Sequence, residues 1–96
     1  MFTHIVFFKL KDRNRENIKK ASQILMRVDG KIPTLKSVVV GTDVVKSERS
    51  YDIALVAKFD SKNDMDAYQV HPVHVNEVLA HLKPMLDSSV SVDFES

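Results

Sequence analysis

The chain has 96 residues, 44% hydrophobic and 28% charged, with a formal net charge of +1. That length supports one core, so a single domain over residues 1–96 is expected, and the near balance of 14 Lys and Arg against 13 Asp and Glu excludes nucleic acid as an expected partner. With no cysteine, disulfides, thiolate nucleophiles and Cys-ligated zinc are excluded.

Thr3 to Leu10 reads as a strand with apolar residues on both faces, His4, Val6, Phe8 and Leu10 against Thr3, Ile5, Phe7 and Lys9. This apolar start is interrupted by His4 and runs into Lys9 and Lys11, the reverse of a signal peptide's order. No stretch has the length to span a membrane, so a cytoplasmic location without membrane contact is expected. The basic residues Lys9, Lys11, Arg13, Arg15, Lys19 and Lys20 are broken by Asp12 and Glu16, which reads as a solvated strand end and helix face rather than a phosphate-binding patch.

Asn14 is placed as an N-cap, with Glu16 in the first turn. Ile18, Ala21, Ile24, Leu25 and Val28 then recur at three- and four-residue spacing, predicting a helix of about four turns. Gly30 supplies its left-handed stop and Pro33 follows. Leu35 to Val45 reads as a second strand, Lys46 to Ser50 as a polar loop, and Tyr51 to Phe59 as a third strand that closes an antiparallel hairpin. Ser61 and Asp64 predict a capping box for a short helix carrying Met65, Tyr68 and Val70. Pro72 keeps His71 out of a helix and starts a second piece to about Lys83, with Val75, Val78, Leu79 and Leu82 as its apolar face. Ser88 to Phe94 alternates cleanly and makes the last strand.

The order β-α-β-β-α-β is the ferredoxin-like α+β arrangement: a four-stranded antiparallel sheet with helices on one face, the second helix broken near Pro72. The helices can cover only one side of the sheet, yet strands one and three are apolar on both. A homodimer packed through the other sheet face is the expected solution.

Three of the four histidines fall between His71 and His81, just after Tyr68, and any proton chemistry is expected there. A neutral His74 can take a proton from a carbon acid while the Tyr68 phenol donates to a developing enolate. In a regular helix His74 lies about 100° from Val75, a position at the rim of the core. The plainer alternative packs Tyr68 in the core with its hydroxyl bonded to backbone and leaves His74 at the surface. His4, on an apolar strand face, reads as a hydrogen-bonded core residue that can also line a pocket. His71 reads as a cap for the second helical piece, or as a residue of the same pocket. His74, Glu77 and His81 share one side of a regular helix but point to solvent without supporting partners, so no metal is expected.

The residues His4-Ile5-Val6-Phe7-Phe8-Lys9-Leu10-Lys11, Gly30-Lys31-Ile32-Pro33, Tyr51-Asp52-Ile53-Ala54-Leu55-Val56 and Tyr68-Gln69-Val70-His71-Pro72-Val73-His74 resemble the stress-responsive A/B barrel (Dabb) family along the whole chain. The resemblance implies a dimeric α/β barrel built from two ferredoxin-like subunits. It also implies a small-molecule pocket between sheet and helices for an apolar or aromatic ligand. In a plant polyketide cyclase of the family, which needs no cofactor, the catalytic tyrosine and histidine correspond to Tyr68 and His74. Two further pocket histidines correspond to His4 and to Ile53, so one polar group is lost here. Three functions follow from the resemblance: a ligand-binding barrel without an assigned reaction, a cofactor-free cyclase, isomerase or lyase, and a cofactor-free monooxygenase, the last without a supporting motif.

Overall fold

Alternation along the first strand sets the two sides of the molecule. In the computed structural model, which describes residues 1–96, strand β1 (Phe2–Leu10) turns Phe2, His4, Phe8 and Leu10 inward as buried side chains. Thr3, Ile5, Phe7 and Lys9 occupy the opposite face. β1 is flanked by β3 (Ile53–Phe59) and β4 (Leu86–Glu95), and β2 (Ser37–Thr42) pairs with β3, so the order is β2-β3-β1-β4. All three pairings are antiparallel. The chain has the ferredoxin-like α+β fold that the element order predicts.

Helix α1 (Arg15–Leu25) starts where expected: the Asn14 side chain accepts from the Asn17 N–H at 2.8 Å. It buries Ile18, Ala21, Ile24 and Leu25, then tightens into a 3-10 turn, Met26–Val28, which buries Val28. Gly30 follows at φ +72, the left-handed stop. A Cβ built on Gly30 meets no atom within 4 Å, so the cost of adding one is backbone strain alone. Gly30→Ala is therefore expected to destabilise by about 1–2 kcal/mol, read as a lower denaturation midpoint at unchanged slope.

Several strand boundaries differ from the sequence reading: β2 starts at Ser37 rather than Leu35, and β4 extends by two residues at its start and one at its end. β2 ends at Thr42 rather than Val45, because the Asp43 carboxylate accepts from the Lys46 N–H at 2.7 Å and turns the chain. Val44 and Val45 are left exposed on that turn. β3 begins at Ile53 rather than Tyr51, although the Asp52 backbone still bonds Phe8 and Asp43; the Asp52 carboxylate accepts from the Leu10 N–H at 2.9 Å and from Arg13 Nε at 3.0 Å. This buried clamp ties the end of β1 to the start of β3.

Helix α2 (Lys62–Val70) is capped by Ser61, whose hydroxyl accepts from the Asp64 N–H at 3.2 Å. Met65 and Tyr68 are buried, whereas Val70 is exposed. The helix stops at His71, which is extended at ψ 138 ahead of Pro72. The second piece is not a regular α-helix. Val73–Leu79 winds as a π-helix, the Ala80 N–H reaching back to the Val75 carbonyl, before one α-helical turn, α3 (Ala80–Leu82), and a 3-10 turn, Lys83–Met85. Wider i→i+5 turns shift the register of the apolar face. His74, Val78 and Leu82 are therefore buried, and Val75, predicted to face the core, is 40% exposed.

The core lies between these helices and the inner sheet face, built from residues such as Leu10, Leu55, Ala57, Phe59, Val28 and Leu82. Across the sheet no helix covers Ile5, Phe7, Val39, Val56, Val92 and Phe94. They are contiguous in the register, Ile5 lying opposite Val56 on one side and Val92 on the other. Phe7, Val39, Val92 and Phe94 are exposed on the single chain. No helix is long and apolar enough to cross a membrane.

Candidate functional site

Tyr68 is delivered by the last full turn of α2, and its ring packs on Phe59 of β3 at 5.1 Å between centroids. The break at His71 and the π winding bring the His74 ring to 4.5 Å from the Tyr68 ring. His4, from β1, completes the group at 6.4 Å from Tyr68 in an edge-on arrangement. All three side chains are buried, with relative exposures of 2% for Tyr68 and 7% for each histidine. His74 is thus an inside residue, not the rim residue that a regular helix predicted; the π turns account for the difference.

Each histidine is anchored through one nitrogen. His74 Nδ1 donates to the Gln69 carbonyl at 3.0 Å, so in the neutral ring Nε2 carries no proton and is free to accept one. His4 Nδ1 donates to the Asp93 carboxylate, directly opposite it in the β1–β4 register. Burial lowers the His74 pKa below its ordinary 6.5, opposed by the Gln69 carbonyl and assisted by the nearby His4, so the ring is neutral at pH 7. Burial pushes the Tyr68 hydroxyl from 10.0 up to about 12, so it is a donor at every physiological pH. Neither the Tyr68 hydroxyl nor the Nε2 of either histidine has a partner in the chain, yet the one unpartnered side-chain polar atom sealed from solvent is Thr34 Oγ1. The small remaining exposure of Tyr68, His74 and His4 therefore includes their polar atoms.

Chemically, the cluster joins a neutral base of fixed tautomer to a phenol that stays protonated. Such a pair can bind a carbonyl or hydroxyl compound, and can move a proton next to a carbonyl.

His71 and Ile53 are placed elsewhere. His71 Nδ1 accepts from the Val73 N–H at 3.1 Å, so it caps the second helical piece, the first of its two expected roles. Ile53 faces the same side of the sheet as His4 but lies opposite Phe8, four residues along β3 from Ala57, the neighbour of His4. That separation is roughly 13 Å at about 3.3 Å per residue. Ile53 instead lines a cleft of about 420 Å³ with Phe7, Thr42 and Tyr51, which Tyr68, His74 and His4 do not touch. The trio His74, Glu77 and His81 is split by the same π winding, His74 turning inward while Glu77 and His81 stay exposed. No three His, Asp or Glu side chains converge closely enough to hold a metal.

Asp93 and Gln69 complete the cluster and were not singled out by sequence. Asp93 follows the polar phase of an alternating strand, and only strand pairing shows that the phase runs beside His4. The Gln69 carbonyl is a backbone group whose direction depends on the helix break.

The pattern of the stress responsive A/B barrel domain, Dabb, matches residues 2–96. Among solved structures, a dimeric ferredoxin-like protein of unknown function from Thermobifida fusca YX is 32% identical, with a TM-score of 0.85 over 99% of this chain and 90% of that one. A dimeric protein of unknown function and ferredoxin-like fold from Bacteroides fragilis is 28% identical, with a TM-score of 0.84 over 99% and 95%. The hydroxynitrile lyase from Passiflora edulis shares the fold at 19% identity, with a TM-score of 0.80 over 97% and 90%. No curated protein matches the sequence. By the extent of the family match and the 32% identity, the chain belongs to the stress responsive A/B barrel domain family.

Proposed function

We propose that this chain is a cytoplasmic homodimer, packed through its outer sheet face, whose subunits each bind a small apolar or aromatic compound against Tyr68, His74 and His4. The observation that carries the ligand reading is the convergence of three buried rings, each keeping a polar atom without a partner in the chain. These atoms bond no group of the chain and open to solvent, so a ligand carbonyl or hydroxyl can replace water on them. The uncovered apolar face, and the dimeric state of the Thermobifida and Bacteroides proteins, support the homodimer.

A second reading is favoured by the His74 tautomer: the cluster is a cofactor-free acid–base site of cyclase, isomerase or lyase type. His74 Nε2 would take a proton from the carbon next to a carbonyl, and Tyr68 would donate to the developing enolate oxygen. His4, held by Asp93, would orient the same oxygen or its neighbour.

Both readings are tested with a panel of aromatic β-keto acids and phenols, by ligand-observed NMR in deuterium oxide. For a compound that binds, Tyr68→Phe is expected to weaken affinity about tenfold, the worth of one hydrogen bond to a buried group. If the pair is catalytic, His74→Ala slows exchange of the carbon-bound proton by about 100-fold or more. The wild-type rate then holds at pH 6.5 and falls only as pH reaches the lowered His74 pKa, because the protonated ring cannot act as base. Equal affinities in wild type and both variants would remove the binding site from this cluster; equal exchange rates would remove catalysis.

A further inference from the structure

The basic residues at the end of β1 and the start of α1, expected as a solvated strand end and helix face, meet different partners in the fold. Arg13 is consumed by Asp52, at 3.0 and 3.2 Å, and by the Ser50 carbonyl at 3.0 Å. The Lys9 ammonium sits over the Tyr51 ring, 4.8 Å from its centroid. Arg15 and Lys19 have no such partner. Together with the Asp52-bound Arg13 they line a cleft of about 1190 Å³ between α1 and the β2–β3 turn, and Lys46 lines it from that turn.

Three features make this cleft more than a charged surface. Arg15 and Lys19 are one helical turn apart, about 5–6 Å between their Cβ atoms, and neither they nor Lys46 belongs to any of the chain's ion pairs. The cleft also has an apolar part, from Ile18 and Met26 on the helix side and Val40 and Val44 on the strand side. Lys46, finally, is the one non-glycine residue at positive φ, 59°. That conformation suits Asn or Gly, and lysine is held in it by the Asp43 carboxylate on its N–H. Backbone strain of this kind persists where the surroundings impose it and clusters at binding sites. Here the strained residue is one of the cations that line the cleft.

Asp43 is the only acid lining the cleft, and its carboxylate is engaged by the backbone of its own turn. Three uncommitted cations beside an apolar wall complement a ligand with a doubly charged head and an apolar body. A phosphate ester carries about −1.5 to −2 at pH 7, whereas a carboxylate brings one charge. We propose that this cleft binds a phosphate monoester of an aromatic or other apolar group, with Arg15, Lys19 and Lys46 on the phosphate and Ile18, Met26 and Val44 against the body. The site lies on the helix side of the sheet, apart from both the Tyr68–His74 cluster and the outer face.

The test is a titration of the full chain with 1-naphthyl phosphate at low ionic strength, followed by amide NMR shifts. 1-Naphthol and inorganic phosphate serve as the apolar and ionic controls. Binding is expected to perturb α1 and residues 42–46, and to be at least tenfold tighter than for either control. The double variant Lys19→Ala/Lys46→Asn is expected to bind at least tenfold more weakly with an unchanged thermal midpoint, asparagine being tolerant of the positive φ. The proposal is overturned if no amide shifts at millimolar ligand, if either control binds as tightly, if the variant binds as wild type, or if the shifts centre on Tyr68 and His74.

Discussion

Asp52→Ala is expected to destabilise the chain by about 2–3 kcal/mol, seen as a lower midpoint in chemical denaturation. The Asp52 side chain is 3% exposed and serves two partners of unequal consequence. Arg13, 43% exposed, can return to water when its carboxylate is removed, so the lost ion pair contributes at most about 1 kcal/mol. The Leu10 N–H has no such escape. Leu10 is buried, and its amide is left unpaired at the point where β1 ends, which costs about 1–3 kcal/mol. Asp52→Asn keeps an acceptor for Leu10 and should retain roughly half of the stability that alanine loses. An unchanged midpoint in the alanine variant would show that the clamp between β1 and β3 contributes nothing.

Val56→Glu is expected to convert a dimer to a monomer. Val56 lies at the centre of the outer face, paired with Ile5 on one side and Val39 on the other. In a two-fold interface each substitution is introduced twice, and two carboxylates placed between apolar sheets lose hydration without gaining partners. A weakening on the order of 1000-fold, about 4 kcal/mol, would follow. Light scattering at micromolar concentration should report a dimer mass for wild type and a monomer mass for the variant. The helix-side core does not include Val56, so the variant should keep its fold by far-UV circular dichroism. A monomer mass for the wild type would end the dimer proposal.

Much of the fold is written in local pattern. The two-residue alternation of β1 and β3, the Asn14 and Ser61 caps and the Gly30 stop each act within a few residues, and each is found where the sequence places it. The earlier end of β2 has a local cause, Asp43 accepting from the Lys46 N–H three residues on, whereas Asp52 spends its carboxylate on Leu10 and Arg13, about forty residues away, which no local pattern shows. The basic run around the start of α1 reads in the sequence as a solvated strand end and helix face, but Asp52 takes Arg13, the Tyr51 ring takes Lys9, and Arg15 and Lys19 line a cleft against the β2–β3 turn.

Tyr68 and His74 were legible as a pair through the resemblance of their motif to the family, and the break between them through Pro72, since proline acts on its immediate neighbour whatever the tertiary context. By itself the sequence determined the order of elements, the break in the second helix and the family. Only the tertiary structure decided which way His74 faces. A change from i→i+4 to i→i+5 bonding leaves no distinct residue signature, since it depends on how the segment packs against α2, α1 and the turn that follows α1. That packing turned His74 inward, carried Val75 out and separated Glu77 and His81 from the cluster. Strand pairing, which joins residues 89 positions apart, supplied Asp93 to His4.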